Sequence, residues 1–257
     1  MTILAVVLCT NLVSCSDDDD SNGNGNSSGK GMKISTIIWN ADEQRYDEYS
    51  YDEQGRIIKL ESYDEGVFYE QTTYEYNADN IVITSTSGNE KPHRTVCQLN
   101  THGLIVKVYD EEDSYDSSTC GYDADGQLIS INEGGSTQTH LTWENGNLTK
   151  ATEEDSGGSY TNNISYTYNQ SLSSSQGLVH LDDILIDIVP GPLAIEPLAN
   201  SGYFGKIPQN LLSGITSDDG YDVKTESISY ELSNGYVSKI TLTRGADILD
   251  VVTLTWK

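Results

Sequence analysis

Along most of the chain, apolar and aromatic residues alternate with polar ones in short runs broken by turn residues. In Tyr49-Ser50-Tyr51-Asp52-Glu53-Gln54-Gly55-Arg56-Ile57, two rings two positions apart are followed by an Asp, a Gly three positions later and a new apolar stretch. A period of two with one apolar face marks a half-buried antiparallel strand. Asp or Asn suits the first position of a type I turn, and the later Gly or Asn closes a three-residue hairpin loop with a left-handed residue. Tyr74-Glu75-Tyr76-Asn77-Ala78-Asp79-Asn80, Cys97-Gln98-Leu99-Asn100-Thr101-His102-Gly103 and Cys120-Gly121-Tyr122-Asp123-Ala124-Asp125-Gly126 repeat the pattern. Asn80, standing where the other copies have Gly, is expected at positive φ, which Asn tolerates best after Gly. Leu141-Thr142-Trp143-Glu144-Asn145-Gly146 and Tyr230-Glu231-Leu232-Ser233-Asn234-Gly235 are one residue shorter and carry Asn-Gly, the preferred type I′ dipeptide. Loop length and turn chemistry change together.

The second apolar residue of each copy falls at 51, 76, 99, 122, 143, 168, 232 and 256. A spacing near two dozen residues is two short strands and two turns. Opposite turns are expected at Asp64-Glu65-Gly66, Ser87-Gly88-Asn89, Glu133-Gly134-Gly135, Ser156-Gly157-Gly158 and Gly245-Ala246-Asp247. The pattern predicts an all-β, antiparallel up-and-down meander of about fifteen short strands. Laid flat at about 4.8 Å per strand it would be some 70 Å wide, so it should curl into a barrel or half-barrel. The paired rings form the buried column. The residues between them (Ser50, Glu75, Gln98, Gly121, Thr142, Thr167, Glu231 and Thr255) make the opposite face polar, unlike the apolar band of a membrane barrel.

Residues 170–222 interrupt the rhythm. Leu181, Ile184, Leu185 and Ile188 recur at helical spacing before Pro190, so a partly helical insertion packed on the apolar face is expected. It reads as a plug, or alternatively as a substrate lid.

Residues 1–15 form a leader. Ile3 to Val13 are largely apolar, too few to span a bilayer, and run into Leu12-Val13-Ser14-Cys15. That ending resembles the lipobox of bacterial lipoproteins, which implies lipid attachment at Cys15. The leader has no basic residue before its apolar run, so an ordinary secretory segment ending in Cys is the alternative. Residues 16–31 hold Asp17-Asp18-Asp19-Asp20 and then mostly Ser, Asn and Gly, a flexible tether. The acidic run resembles the surface-export signal of Bacteroidota lipoproteins, and equally reads as a charge that holds the tether off the membrane. Residues 32–257 read as a single β-repeat domain.

The formal net charge is -26 and the mean hydropathy -0.46. Such a chain repels nucleic acid and anionic lipid, so contact with a membrane is expected through the anchor alone. No His-x-x-x-His or Cys-x-x-Cys spacing marks a metal site, and no cofactor motif is present. Asp123-Ala124-Asp125-Gly126 has part of a calcium loop, but Asn132 stands where a bidentate Glu is required. Asp110-Glu111-Glu112-Asp113 reads as a solvated turn.

These residues together resemble an uncharacterised family of Bacteroidota cell-envelope lipoproteins with a porin-like β-fold. The carriers are Cys15, the Tyr-x-Tyr-(Asp/Asn)-x-x-Gly hairpins, and Gly205-Lys206 followed by Asn210-Leu211. The hairpins also resemble the YD repeats of large bacterial surface and toxin-shell proteins. Neither resemblance implies an active site. The leading expectation is a lipid-anchored envelope binding protein, its ligand a glycan or protein, with Trp143, Trp256 and Tyr203 as rings on which a sugar would stack. A structural or adhesion module and an envelope hydrolase are the alternatives.

Cys97 and Cys120 occupy the same column on strands separated by one other. Two inter-strand steps are about 9.5 Å, beyond the roughly 7 Å that a disulfide tolerates between Cα atoms. Two free buried thiols are expected. Electrospray masses taken before and after reduction should agree, with no gain of two hydrogens per chain.

Overall fold

The structure, a computed structural model, describes residues 32–39, 44–112, 117–135, 137–155, 157, 161–177 and 195–257. Residues 32–257 form one compact unit. The strands are β1 (Ile34–Ile38), β2 (Tyr46–Tyr51), β3 (Ile57–Asp64), β4 (Val67–Tyr76), β5 (Asn80–Ser87) and β6 (His93–Leu99). Then come β7 (Ile105–Asp110), β8 (Ser117–Tyr122), β9 (Leu128–Glu133), β10 (Thr137–Glu144) and β11 (Asn147–Asp155). The last five are β12 (Thr161–Ser173), β13 (Asn210–Asp218), β14 (Val223–Ser233), β15 (Tyr236–Arg244) and β16 (Asp247–Trp256). Each pairs antiparallel with its chain neighbours, and β1 pairs with β16 to close a barrel of 16 strands. The meander expected from the repeat is thus borne out, and the choice between barrel and half-barrel resolves to a closed barrel. Backbone bonds in both directions between Lys33 and Lys257, 2.8 Å each, complete the seam.

The interruption expected over 170–222 is shorter than its sequence suggests. β12 runs on to Ser173, and Asn210–Asp218 is a full strand of the wall. Between them the described residues hold one 3-10 turn, Ser174–Gln176, and one short helix, α1 (Glu196–Asn200). The helical spacing of Leu181, Ile184, Leu185 and Ile188 lies outside the described residues, as does Cys15.

The turns follow their residues closely. Asp52, Asn100 and Asp123 each accept the backbone N–H groups two and four positions ahead, at 2.9–3.0 Å. Gly55, Gly103 and Gly126 close these loops at φ between 76° and 78°. Asn145-Gly146 and Asn234-Gly235 have positive φ at both residues, as a type I′ turn requires. Asn80 departs from expectation, because it is not among the residues at positive φ. Its backbone carbonyl accepts from the Asn77 backbone N–H at 2.9 Å, and its side-chain carbonyl accepts from the Asn77 side-chain amide at 3.0 Å, so a side-chain bond reinforces the backbone closure of the turn.

The copies interlock by a bond that alternation alone does not reveal. After each Gly-containing motif turn the ladder slips, leaving two residues of the returning strand opposite one partner: Ile57-Ile58, Ile105-Val106, Leu128-Ile129, Leu148-Thr149 and Val237-Ser238. Such a bulge takes its first carbonyl out of the ladder. The second ring of a neighbouring copy takes that carbonyl up. Tyr76 donates to Ile57, Tyr122 to Ile105, Trp143 to Leu128, Tyr168 to Leu148 and Trp256 to Val237, at 2.6–2.8 Å. The five accepting residues are no more than 2% exposed, so water cannot substitute for the ring. The exception supports the rule. The Tyr76–Ile81 pairing has no slip, and the residue that would reach Ile81 is Leu99, which has nothing to donate.

The first ring positions are buried inside the barrel (Tyr74, Cys97, Cys120, Leu141 and Tyr166), and the second are mostly half-buried at the rim. Leu232 is the correction here, since it lies exposed at its turn. The returning strands contribute Ile57, Ile81, Ile83, Ile105, Val108, Leu128, Ile131, Leu148 and Val237 to the same core. Outward positions such as Thr36, Thr73, Thr84, Lys107, Thr142, Lys150, Thr167, Thr216, Thr241 and Thr253 give the outer wall a surface of hydroxyls and charges.

Replacing Tyr122 by Phe keeps the ring and strands the Ile105 carbonyl. An unpaired buried acceptor costs about 1–3 kcal/mol. Urea unfolding of Tyr122→Phe should show that loss, whereas Tyr109→Phe on the outer wall should leave stability nearly unchanged.

Candidate functional site

The two ends of the barrel interior differ in chemistry. At the end that carries the motif turns, the segment 195–209 crosses the rim. Ile195 and Leu198 are 0% exposed and join Ala199, Phe204, Leu211 and Leu212 in the core formed by the wall. The strap is fixed to successive turns: Ile105 N–H donates to Tyr203 O at 2.8 Å, Lys206 N–H to Gly126 O at 2.9 Å, and Gln209 N–H to Gly146 O at 3.0 Å. Asn147 and Asn210 then bond each other through side chain and backbone. Gly205 is required where the strap passes the β8–β9 turn. A Cβ there would sit 2.3 Å from the Gly126 carbonyl oxygen, and its φ is 88°.

Trp143, Trp256 and Tyr203 all lie at this rim, half-buried and apart from one another. The Trp143 and Trp256 indole N–H groups are given to Leu128 and Val237. The Trp256 ring lies against Gly177 and 5.3 Å from the Tyr236 ring. Tyr203 belongs to the strap itself, its ring 5.9 Å from that of Tyr76, where Arg56 also rests at 4.4 Å. What these side chains leave for a visitor is ring edge and face, without a free indole donor.

Toward the other end, the inward positions turn polar. Alternation from buried neighbours places Asp47, Glu70, Asp110, Glu153, Asp155, Glu226 and Asp250 on the inner wall, with Ser62, Thr72, Thr95, Thr139 and Asn162 buried beside them. Glu226 pairs with Arg244, and His93 with Asp110 at 2.6 Å. Among the described residues no group of three or more His, Cys, Asp or Glu is arranged to hold a metal ion. The Asp123 carboxylate is engaged by its own turn, and Asp110 accepts from the Glu112 N–H.

Asp47 is the best-defined member of this wall. Burial pushes its carboxyl above the usual carboxylate range, against the Ser62 hydroxyl, the Trp39 indole N–H (2.7 Å) and the charge of Arg45, which pull it down. The sequence reading missed this pair because Asp47 and Trp39 lie outside the repeat. Their only signal is an acid and a ring that fall in the inward parity of β1 and β2. Cys97 and Cys120 are free thiols, and burial pushes both up to about 12, so they stay protonated and inert as nucleophiles.

A family model described as a domain of unknown function (DUF4595) with porin-like fold matches residues 49–246. The crystal structure of a porin-like protein from Bacteroides uniformis is similar, with a TM-score of 0.63 at 18% identity, covering 87% of this chain and 98% of that one. A porin-like protein from Bacteroides vulgatus gives a TM-score of 0.59 at 14% identity with the same coverage. No curated protein matches the sequence.

A carboxyl whose folded pKa is raised binds its proton more tightly in the folded chain. Its contribution to stability therefore falls as pH rises from its unfolded value through its folded value. Asp47→Asn removes that dependence. The stability of the variant relative to the parent should shift in the variant's favour between pH 3.5 and pH 7, measured by urea unfolding at both.

Proposed function

The chain belongs to this porin-like family of unknown function, and on that premise we propose that it is a lipid-anchored binding protein of the bacterial outer membrane. The observation that carries the reading is how the barrel is finished. Its outer wall is mostly threonine, serine and charge, with no continuous apolar belt among the described residues, which suits water and opposes insertion in hydrocarbon. At its motif end the strap residues Ile195, Leu198 and Phe204 pack with Leu211 of the wall into the apolar core. A barrel of porin breadth, filled at one end and wet outside, serves as a rigid body on which to display a binding surface.

Cys15 is the proposed lipid attachment point, residues 16–31 the tether, and residues 32–257 the displayed domain. The ligand is a glycan or a protein. For a sugar, Trp143, Trp256 and Tyr203 offer stacking edges at the strap rim, with hydrogen bonds coming from the neighbouring turns. The YD-like turn chemistry of the hairpins is a second proposed tie to surface proteins.

Cys15→Ala tests the anchor. The parent should partition into the detergent phase and the membrane pellet of the expressing cell, and the variant into the aqueous phase. Equal partitioning of the two would overturn the anchor. On a glycan array, loss of signal in Trp143→Ala would place a sugar at the strap rim.

A further inference from the structure

One stretch of the outer wall breaks its hydroxyl pattern. Alternation from the buried Ile37, the inward Asp47 and the buried Ser62 directs Ile38, Tyr46 and Tyr63 outward. Registers then align Ile38, Tyr46, Tyr63 and Phe68 in one row across β1, β2, β3 and β4. Tyr46 and Tyr63 stack at 4.6 Å with their planes 11° apart, and Phe68 meets Tyr63 edge-on at 5.9 Å. Phe68 is 48% exposed, although the chain has only two phenylalanines in all. The adjacent outward row sets Glu48 directly opposite Glu61. Like charges facing each other across a pair of strands destabilise it. Lys59 reaches Glu61 at 2.7 Å, while Glu48 is exposed and has no cationic partner among the described residues.

Elsewhere three tyrosines carry the chain's own cations. Lys33 and Lys257 lie over Tyr51, Arg56 over Tyr76 and Lys107 over Tyr109, at 4.4–5.9 Å. No cation of the described chain lies over Tyr46, Tyr63 or Phe68. The wall is closed, so a partner finds no strand edge to pair with here and must bind through its side chains.

We infer that the Tyr46–Tyr63–Phe68 row above Glu48 and Glu61 is a docking surface for a basic protein segment that places an arginine over the rings. The inference rests on the reading of the chain as a binding protein and names the partner's chemistry. Guanidinium is the group that fits both rows, since it stacks on an aromatic face and bonds a carboxylate through two N–H groups. A cation between Glu48 and Glu61 relieves their repulsion. The charge of -26 works against the other occupants: nucleic acid, anionic lipid and a second copy of the chain are all repelled.

The test uses the purified full chain and a fluorescent ten-residue peptide of alternating Arg and Val, titrated by anisotropy at low and physiological salt. Tyr63→Ser with Phe68→Ser should weaken binding at least tenfold, and Glu48→Gln with Glu61→Gln at least fivefold. Glu75→Gln with Glu154→Gln, which removes the same charge from exposed positions off the aromatic row, should change it less than twofold. Circular dichroism checks that each variant is folded, and because the two site pairs lie on different rows, one remains informative if the other unfolds. Equal loss in all three pairs would mean diffuse attraction to an acidic protein and would overturn the proposal. So would ring-dependent binding of neutral oligosaccharides with no binding of the peptide. These outcomes are independent of the anchoring experiment, which can fail while the peptide still binds, or succeed while it does not.

Discussion

A barrel of sixteen strands is wider than its own side chains can fill. At about 4.8 Å per strand and a tilt near 40°, its diameter is about 30 Å, and barrels of that size ordinarily enclose water. Apolar rings pointed into such a space would gain little from it unless something met them at the centre. The strap from Ile195 to Gln209 meets them, and Ile195, Leu198, Ala199 and Phe204 turn a wetted lining into a packed core. Burial of each of the larger side chains contributes about 1.5–3 kcal/mol. The position of the strap, the need for Gly205 beside the Gly126 carbonyl and the asymmetry between the two ends all follow from that geometric shortfall.

Much of this architecture is legible because its local signals agree. Asp52, Asn100 and Asp123 begin loops that only a left-handed residue can close, and Gly55, Gly103 and Gly126 close them. The turn at 77–80 shows where agreement ends. Asn80 looks like a substitute for Gly, yet it sits in an ordinary strand conformation, because two asparagine side chains bond across the turn and remove the need for a bulge. In retrospect Leu99 signals this: where the bulge is missing, so is the ring that would have bonded its carbonyl. The pairing of turn type with ring type spans neighbouring copies, and no window the size of one copy contains it.

The insertion and the outer aromatic row were hidden for different reasons. β13 lies among prolines and small residues, so its nine residues have no flanking repeat to announce them, and only the ladder to β12 and β14 reveals a strand. Tyr46, Tyr63 and Phe68 were visible as aromatics but merged into a tyrosine-rich composition. They became distinct once register showed that they fall out of phase with the buried column. Trp143, Trp256 and Tyr203 carry the opposite lesson. A rare ring in a repeat draws attention as a binding residue, and two of the three also make a bond that no single copy reveals, their donors committed to the backbone of the preceding copy.

The seam between β1 and β16 joins residues from the two ends of the domain, Lys33 with Lys257 and Ile37 with Leu254. A ribosome releases them in that order. Until the last strand has left the exit tunnel, β1 can have only β2 beside it, and the growing sheet carries two raw borders that invite foreign strands. A barrel of this design is thus most vulnerable just before its last strand pairs, and any factor that keeps it unrolled or shielded would matter most in that interval.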